Sequence, residues 1–106
     1  YRTERVNELM RRELVLLLKQ EVKDPRLKQV VITDVIVSRD LTSAKVFFSV
    51  DADSNKIVVS LLNKASGFFR SSLSKTLDLR HTPTLSFIYD TTPNTGARID
   101  DLLSKL

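Results

Sequence analysis

A long helical pattern with a glycine inside it constrains this fold more than any other stretch of the chain. From Lys56 to Leu79, apolar side chains recur at about 100° per residue, which predicts an amphipathic helix. Gly67 lies within this pattern on its polar side, near Lys64 and Lys75. A glycine inside a helix costs about 1 kcal/mol relative to alanine, so any fold proposed for the chain must account for this position.

The stretches before this pattern predict one helix and a β-hairpin. Residues 4–22 carry apolar side chains at helical spacing. That helix should end before Asp24-Pro25, because the residue preceding a proline avoids the α region. Branched side chains predict a strand at 30–37, and alternating apolar and polar residues predict a second strand at 44–50. The short polar connection between the two strands indicates antiparallel pairing.

The stretches after the pattern complete a single small domain. Residues 84–90 alternate like a third strand. A helix that crosses from the hairpin to that strand should lie on one face of the sheet, beside the first helix. We therefore predict an α+β fold over residues 1–106, with a three-stranded sheet and the helices packed on one face. Residues 1–90 would form the core, and residues 91–106 a C-terminal loop and a short helix.

The basic charge of the chain is concentrated on the interrupted helix and its flanks. The net charge of the whole chain is +4. Between Ser54 and Tyr89, five basic residues stand against Asp78 alone, a balance of +4, whereas the remaining residues carry twelve basic and twelve acidic groups. This distribution favours an anionic partner for that segment. The alternative is a solvated helix whose charge serves no partner.

Catalysis, cofactors and membrane insertion have little support in the sequence. The chain has no cysteine, and His81 is its only histidine, so histidine and cysteine metal ligands cannot cluster. It has no glycine-rich phosphate loop and no apolar run of the roughly 18–20 residues that span a bilayer. We expect a cytoplasmic, non-catalytic monomer that binds no metal, cofactor, small-molecule substrate or membrane. A small phosphate hydrolase is the weakest alternative.

Several short motifs resemble the bacterial ribosome-binding factor A family, in the same order over nearly the whole chain. They are VKDPRL at 22–27, SRDLTSAKV at 38–46, KASGFFRSSLSK at 64–75, LRHTPTLSFIYD at 79–90, and G-x-R at 96–98. The resemblance implies a KH-like domain of the second type, with elements in the order α-β-β-α-kink-α-β. In that family an Ala-x-Gly kink replaces the GXXG loop of ordinary KH domains, and Ala65-Ser66-Gly67 matches it. The glycine would then mark a break between two helices, because glycine adopts backbone angles that other residues adopt only at a cost.

The family resemblance implies a non-catalytic ribosome assembly factor. Members of that family bind the small ribosomal subunit and its rRNA late in maturation, assist rRNA processing and support growth in the cold. The absence of the GXXG loop implies a contact with RNA that is driven by shape and charge. A second hypothesis is a protein-interaction module that uses the exposed sheet face around Phe47 and makes no direct contact with RNA.

The RNA-binding surface implied by this resemblance combines the basic helix face with the kink. Its candidate residues are Lys64, Ser66, Gly67, Arg70, Ser71, Lys75 and Arg80. Phosphates favour mobile cations, and a second helix starting after Gly67 would add backbone N–H groups and a positive dipole end. Arg70 lies at the side of this face, where an ion pair with a carboxylate is the alternative.

Three further cations are candidates for a secondary contact with RNA. Arg26 and Arg39 adjoin Asp24 and Asp40, so local ion pairs that stabilise turns are the alternative for both. Lys45 should point away from the core face of its strand, where it would extend the basic surface.

The aromatic residues do not suggest a base-stacking platform. Exposed aromatic rings stack bases in many single-strand binders. Here Phe47 is expected to face away from the main core, whereas four other rings are expected within it: Phe68, Phe69, Phe87 and Tyr89. This pattern favours structured RNA as the partner.

Overall fold

A three-stranded sheet with strand order β1-β2-β3 organises the fold. The computed structural model describes residues 2–77 and 81–91, with side chains from residue 4 onward. Its elements in chain order are α1 (Arg2–Gln20), α2 (Pro25–Lys28), β1 (Val31–Val37), β2 (Ser43–Ser49), a 3-10 turn (Ala52–Ser54), α3 (Asn55–Lys64), α4 (Ser66–Thr76) and β3 (Thr84–Tyr89). The predicted α+β fold is confirmed, with α2 and the 3-10 turn added to the expected elements. The predicted C-terminal helix lies outside the described residues.

The short helix α2 begins at the Asp-Pro pair, which sequence pattern alone assigns only to the end of α1. Asp24 is the N-cap of α2, and its Oδ1 atom accepts a hydrogen bond from the Arg26 N–H at 2.9 Å. Pro25 follows at the start of the helix, where its fixed φ suits the helix and its missing N–H leaves no bond unmade. As predicted, α1 ends before this pair, at Gln20.

β2 is the central strand, and its two neighbours run in opposite senses. β1 and β2 form the predicted antiparallel hairpin, whereas β2 and β3 are parallel. Parallel neighbours require a crossover connection, and α3 and α4 provide it. α1 packs on β1, α3 and α4 pack on β3, and α1 also contacts α4. The crossover and α1 therefore form one helical layer over the sheet.

One face of the sheet is buried beneath this helical layer. Its buried side chains are Ile32, Val35, Val37, Ala44, Val46, Phe48, Leu85 and Phe87. A register shift between Ile32 and Asp34 marks a β-bulge, which lets Ile32 and Val35 share a face although three positions separate them. The fully buried side chains from the helices are Met10, Leu14, Val58, Leu62, Phe69 and Leu73. Phe69 contacts Phe87 across the core, with 5.4 Å between the ring centroids.

The aromatic residues are placed as predicted with one exception. Phe69 and Phe87 are buried, Tyr89 is half-buried against the core, and Phe47 lies half-buried on the opposite sheet face. Phe68 is 45% exposed, so the prediction that it belongs to the core is wrong. Consecutive residues of a helix point about 100° apart, and Phe69 already faces the sheet. Its neighbour Phe68 is therefore directed toward solvent.

Asparagine side chains from two helices hydrogen-bond the outer edges of the sheet. On β1, the Val37 N–H donates to Asn7 Oδ1 of α1 at 2.8 Å. On β3, the Phe87 N–H donates to Asn63 Oδ1 of α3 at 3.1 Å, and Asn63 Nδ2 donates back to the Phe87 carbonyl at 3.4 Å. Unpaired strand edges invite other strands to add to a sheet. These two amides occupy backbone groups that an added strand would need.

The turn between β1 and β2 is organised by the carboxylate of Asp40. Its Oδ1 atom accepts hydrogen bonds from Ser38 Oγ and Thr42 Oγ1, both at 2.8 Å, and from the Thr42 N–H at 3.2 Å. These bonds favour the ionised carboxylate and lower the pKa of Asp40 below its ordinary value, with the Ser38 hydroxyl as the largest cause. Leu41 has a φ of 63° in this turn, a left-handed conformation that is uncommon outside glycine.

Asn63→Ala should lower the free energy of unfolding by about 1–3 kcal/mol, because it leaves the buried Phe87 N–H without its acceptor. Alanine is the better helix former. If the Asn63 side chain were merely solvated, Asn63→Ala would therefore raise the free energy of unfolding. Urea unfolding measures the change. Asn63→Asp keeps an acceptor for the N–H but loses the amide donor, and we expect an intermediate stability. Equal or higher stability of Asn63→Ala would contradict the edge role.

Asp40→Ala should destabilise the protein at neutral pH, and the difference from wild type should shrink in acid. The folded-state pKa of Asp40 is depressed, so its stabilisation is present above the unfolded-state pKa and is lost as pH falls through the folded-state pKa. Urea melts between about pH 7 and pH 2 test this pH dependence. Asp53→Ala is the control, since the exposed Asp53 side chain has no hydrogen bond to a described residue. If the difference in unfolding free energy between Asp40→Ala and wild type persisted unchanged in acid, the ionised carboxylate would not be the source of the stabilisation.

Candidate nucleic-acid interface

The bend between α3 and α4 occurs at Ala65, the residue between the two helices. Ala65 has φ −88° and ψ 5°, in the bridge region that residues other than glycine can adopt. Its N–H is shared between the carbonyls of Leu61 and Leu62, at 3.0 and 3.1 Å. Its own carbonyl accepts the Phe69 N–H at 3.1 Å. The last turn of one helix and the first turn of the next therefore meet at this residue.

Gly67 lies in the first turn of α4, beyond the bend. Its φ is not positive, and a Cβ atom added there would meet no heavy atom within 4 Å outside its own helix backbone. The motif Ala65-Ser66-Gly67 does coincide with the junction of the helices. However, the prediction that the backbone freedom of Gly67 produces the kink is wrong, because the break falls at Ala65, whose backbone angles residues other than glycine can adopt.

Lys64 and Lys75 are exposed in the last turns of α3 and α4. Positive charge at a helix C-terminus interacts favourably with the helix dipole, so these positions suit lysine locally. Neither lysine forms an ion pair with a described residue. Within the part of the chain that the structure describes, both ammonium groups are therefore unpaired. We refer to Lys64, Arg70 and Lys75 together as the basic face.

Arg70 connects α4 to the loop that precedes β3. Its Nε donates to the Pro83 carbonyl at 3.1 Å, and its Nη2 donates to the Thr82 carbonyl at 3.0 Å. The alternative of a carboxylate partner is not observed among the described residues, since the bonds run to backbone carbonyls. A carbonyl holds the guanidinium in place without neutralising it, so Arg70 keeps its positive charge.

A polar groove lies between α4 and the same loop. Its volume is about 420 Å³, and its lining residues are Gly67, Arg70, Ser71, Ser74, His81 and Thr82. We call it the α4 groove. Three of the predicted site residues line it, Gly67, Arg70 and Ser71. Ser66 is half-buried at the start of α4, and Arg80 lies outside the described residues.

The three secondary cations have different surroundings. Arg26 forms a two-point ion pair with Asp24, with Nε–Oδ1 at 3.1 Å and Nη2–Oδ2 at 2.8 Å, and this hydrogen bonding lowers the pKa of Asp24. The local-pair alternative therefore holds for Arg26. Arg39 is exposed and has no ion pair with a described residue, because Asp40 bonds the hydroxyls of its own turn instead. Lys45 is exposed on the open sheet face, as predicted.

Phe68 is a candidate contact that sequence reasoning missed. Its exposed ring follows Gly67 directly and touches the buried Phe69 edge to face, with 5.4 Å between ring centroids. A ring supported in this way can stack on an unpaired base. The helical spacing indicates this exposure, because Phe69 and Leu73 share one face of the helix and Phe68 points about 100° away from it.

The described residues offer no evident metal centre or membrane span. Within 2–77 and 81–91, no three side chains of histidine, cysteine, aspartate or glutamate come together as potential metal ligands. In the same part of the chain, no helix combines the length and apolar character that crossing a bilayer requires.

The chain is similar to proteins of one family along almost its whole length. A family model described as ribosome-binding factor A matches residues 2–103. A ribosome-binding factor A from Vesicomyosocius okutanii is 65% identical over 106 residues, covering 100% of this chain and 93% of the relative. Two Thermus thermophilus neighbours share the fold. The crystal structure of ribosome-binding factor A has a TM-score of 0.75 at 21% identity and covers 82% of this chain and 93% of its own. A homology model of ribosome-binding factor A, fitted into the cryo-EM map of its 30S complex, has a TM-score of 0.67 at 20% identity and covers 83% of this chain and 94% of its own.

Gly67→Ala should raise the free energy of unfolding by a few tenths to about 1 kcal/mol, because the position is helical and its Cβ would enter open space. Thermal or urea unfolding measures the change. A destabilised Gly67→Ala protein would show that this position needs glycine backbone angles after all.

Proposed function

Because the chain belongs to the ribosome-binding factor A family, we propose that it binds the small ribosomal subunit by contacting rRNA. It acts as a non-catalytic assembly factor during late maturation of the subunit, assists processing of the small-subunit rRNA and supports growth in the cold. It works in the cytoplasm as a monomer, without a cofactor or a small-molecule substrate.

The observation that carries this proposal is the cluster of three cations on the basic face. Among the described residues, no carboxylate pairs with Lys64, Arg70 or Lys75. RNA presents a phosphate at every nucleotide, so several cations along two helices can bind at once and release counterions. The choice of the small subunit is supported by the 30S complex of the structurally similar Thermus thermophilus protein.

The mechanism follows from what the surface offers. The α3–α4 junction has one bend residue in place of a GXXG loop, so a clamp on four nucleotides is not available. Phe68 is exposed near the junction, but one ring is too little for a stacking platform. The protein therefore binds folded RNA by charge and shape. Binding energy that differs between two rRNA conformations shifts their populations toward the bound one.

A protein partner on the open sheet face is a second candidate function. Two apolar side chains of β1 are exposed there, Val31 at 60% and Ile36 at 45%. Ile36 lies opposite Lys45 in register, so the face combines apolar and cationic character. In that case, charge reversal on the basic face leaves partner binding intact, whereas Phe47→Ala abolishes it. Co-sedimentation of both variants with the subunit separates the two functions.

The double variant Lys64→Glu/Lys75→Glu should bind purified small ribosomal subunits more weakly than wild type, with a shallower dependence on salt. Each lost phosphate contact removes about 0.7–0.9 from the slope of log K against log salt concentration. Equilibrium binding across a monovalent salt series measures both quantities.

The matched control is Lys19→Glu/Lys23→Glu, which changes the net charge equally but replaces one lysine in the last turn of α1 and one in the connection that follows it. We expect it to retain most of the wild-type affinity and slope. If the wild-type protein does not sediment with small ribosomal subunits at low salt, the proposed function is wrong. Equal weakening by the two double variants would show that net charge, rather than the basic face, governs binding.

A further inference from the structure

The floor of the α4 groove is a strip of helix without bulky side chains. Gly67, Ser71 and Ser74 are spaced four and three positions apart, so they share one face of α4. The strip runs for about 10 Å along the helix axis, given a rise of about 1.5 Å per residue. A chain-like ligand can therefore approach the helix backbone closely along this face.

The wall of the groove holds a fixed and charged donor. The two bonds from Arg70 to the Pro83 and Thr82 carbonyls use two of the five N–H groups of a guanidinium. The other three N–H groups belong to a planar, positively charged guanidinium, whose geometry suits phosphate oxygens. Because the loop already holds the side chain, little rotamer freedom is lost when a ligand binds.

The other polar groups of the groove suit hydroxyl partners. The Ser71 hydroxyl has no hydrogen bond to a described residue, and Ser74 Oγ donates to the Ser71 carbonyl at 2.8 Å while keeping its acceptor capacity. The exposed His81 imidazole lies across the groove and can donate or accept. Among the described residues that line the groove there is neither a carboxylate nor a large apolar side chain. The groove therefore favours an anionic ligand that is rich in oxygen atoms.

We propose that the α4 groove is a subsite for one phosphodiester of rRNA and its attached ribose. Arg70 binds the phosphate, and Ser71 and His81 bind the sugar hydroxyls. This subsite rests on the proposed function, since it assumes that rRNA is the partner of the basic face. The subsite specifies that the rRNA backbone binds in the α4 groove. It also assigns the contact to the sugar and phosphate of the RNA rather than to its bases.

Gly67→Leu tests the subsite without removing any charge. A leucine side chain would grow from the floor of the groove, and its Cβ would meet no heavy atom within 4 Å outside the helix backbone. Leucine is also a better helix former than glycine, so the variant should melt at or above the wild-type temperature. Gln20→Leu is the matched control, because it adds the same side chain at an exposed position of α1, outside the groove lining.

Binding of the full chain to purified small ribosomal subunits is measured between about 50 and 200 mM monovalent salt. We expect Gly67→Leu to bind more weakly at low salt, with a slope shallower by about 0.7–0.9 for the one lost phosphate. The advantage of wild type over this variant should then shrink about threefold across that fourfold change in salt. Gln20→Leu should match wild type in both affinity and slope.

A second pair of variants tests the charge of the subsite. Ser71→Glu places a carboxylate in the groove, whereas Gln20→Glu adds the same charge on α1, outside the groove lining. We expect Ser71→Glu to weaken binding and to reduce the salt slope more than Gln20→Glu does.

The outcomes separate this inference from the proposed function. If Gly67→Leu and Ser71→Glu bind like wild type while Lys64→Glu/Lys75→Glu is weakened, the proposed function stands and the subsite is wrong. If Gly67→Leu is weakened with an unchanged slope, the groove holds a base or a protein group, and the phosphate assignment is overturned. If wild type does not bind the subunits, both ideas fail.

Discussion

The parallel pairing of β3 with β2 is the constraint on which the rest of the structure depends. Parallel neighbours cannot be joined by a tight turn, so the chain must cross one face of the sheet between Ser49 and Thr84. α3 and α4 make this crossing, and their buried residues Leu62 and Phe69 attach them to the core. The outer sides of both helices then face solvent, and the exposed lysines of the basic face lie on those sides.

Two polar side chains attach the crossover to β3 and to the loop before it. Asn63 of α3 bonds the backbone of Phe87 within the strand, and Arg70 of α4 bonds the carbonyls of the preceding loop. Arg70 therefore has a structural and an electrostatic role at once. The α4 groove exists because this arginine holds the loop beside the helix, so its shape is a property of the tertiary fold rather than of α4 alone.

Local spacing was enough to predict most elements but not their attachments. The helical and alternating patterns predicted α1, the hairpin, the crossover and β3, because each pattern reflects which side of a local element is buried. The junction of α3 and α4 was located from Gly67, yet the bend itself falls at Ala65. That residue takes its angles from the way two helices pack on one sheet. Phe68 was misplaced because adjacent aromatic residues were both assigned to a face with room for one.

By itself, the sequence determined the α+β class, the concentration of charge between Ser54 and Tyr89, and the exposed positions of Lys64 and Lys75. These depend on residue order within single elements, and periodicity records them directly. Only the tertiary structure decided that Arg70 is held by a loop twelve or more positions away, whereas the pair between Arg26 and its neighbour Asp24 is local. The tertiary structure also formed the α4 groove and the bonds at the sheet edges. Such contacts join residues far apart in the chain, and they arise only when the helices pack on the sheet and bring those residues together.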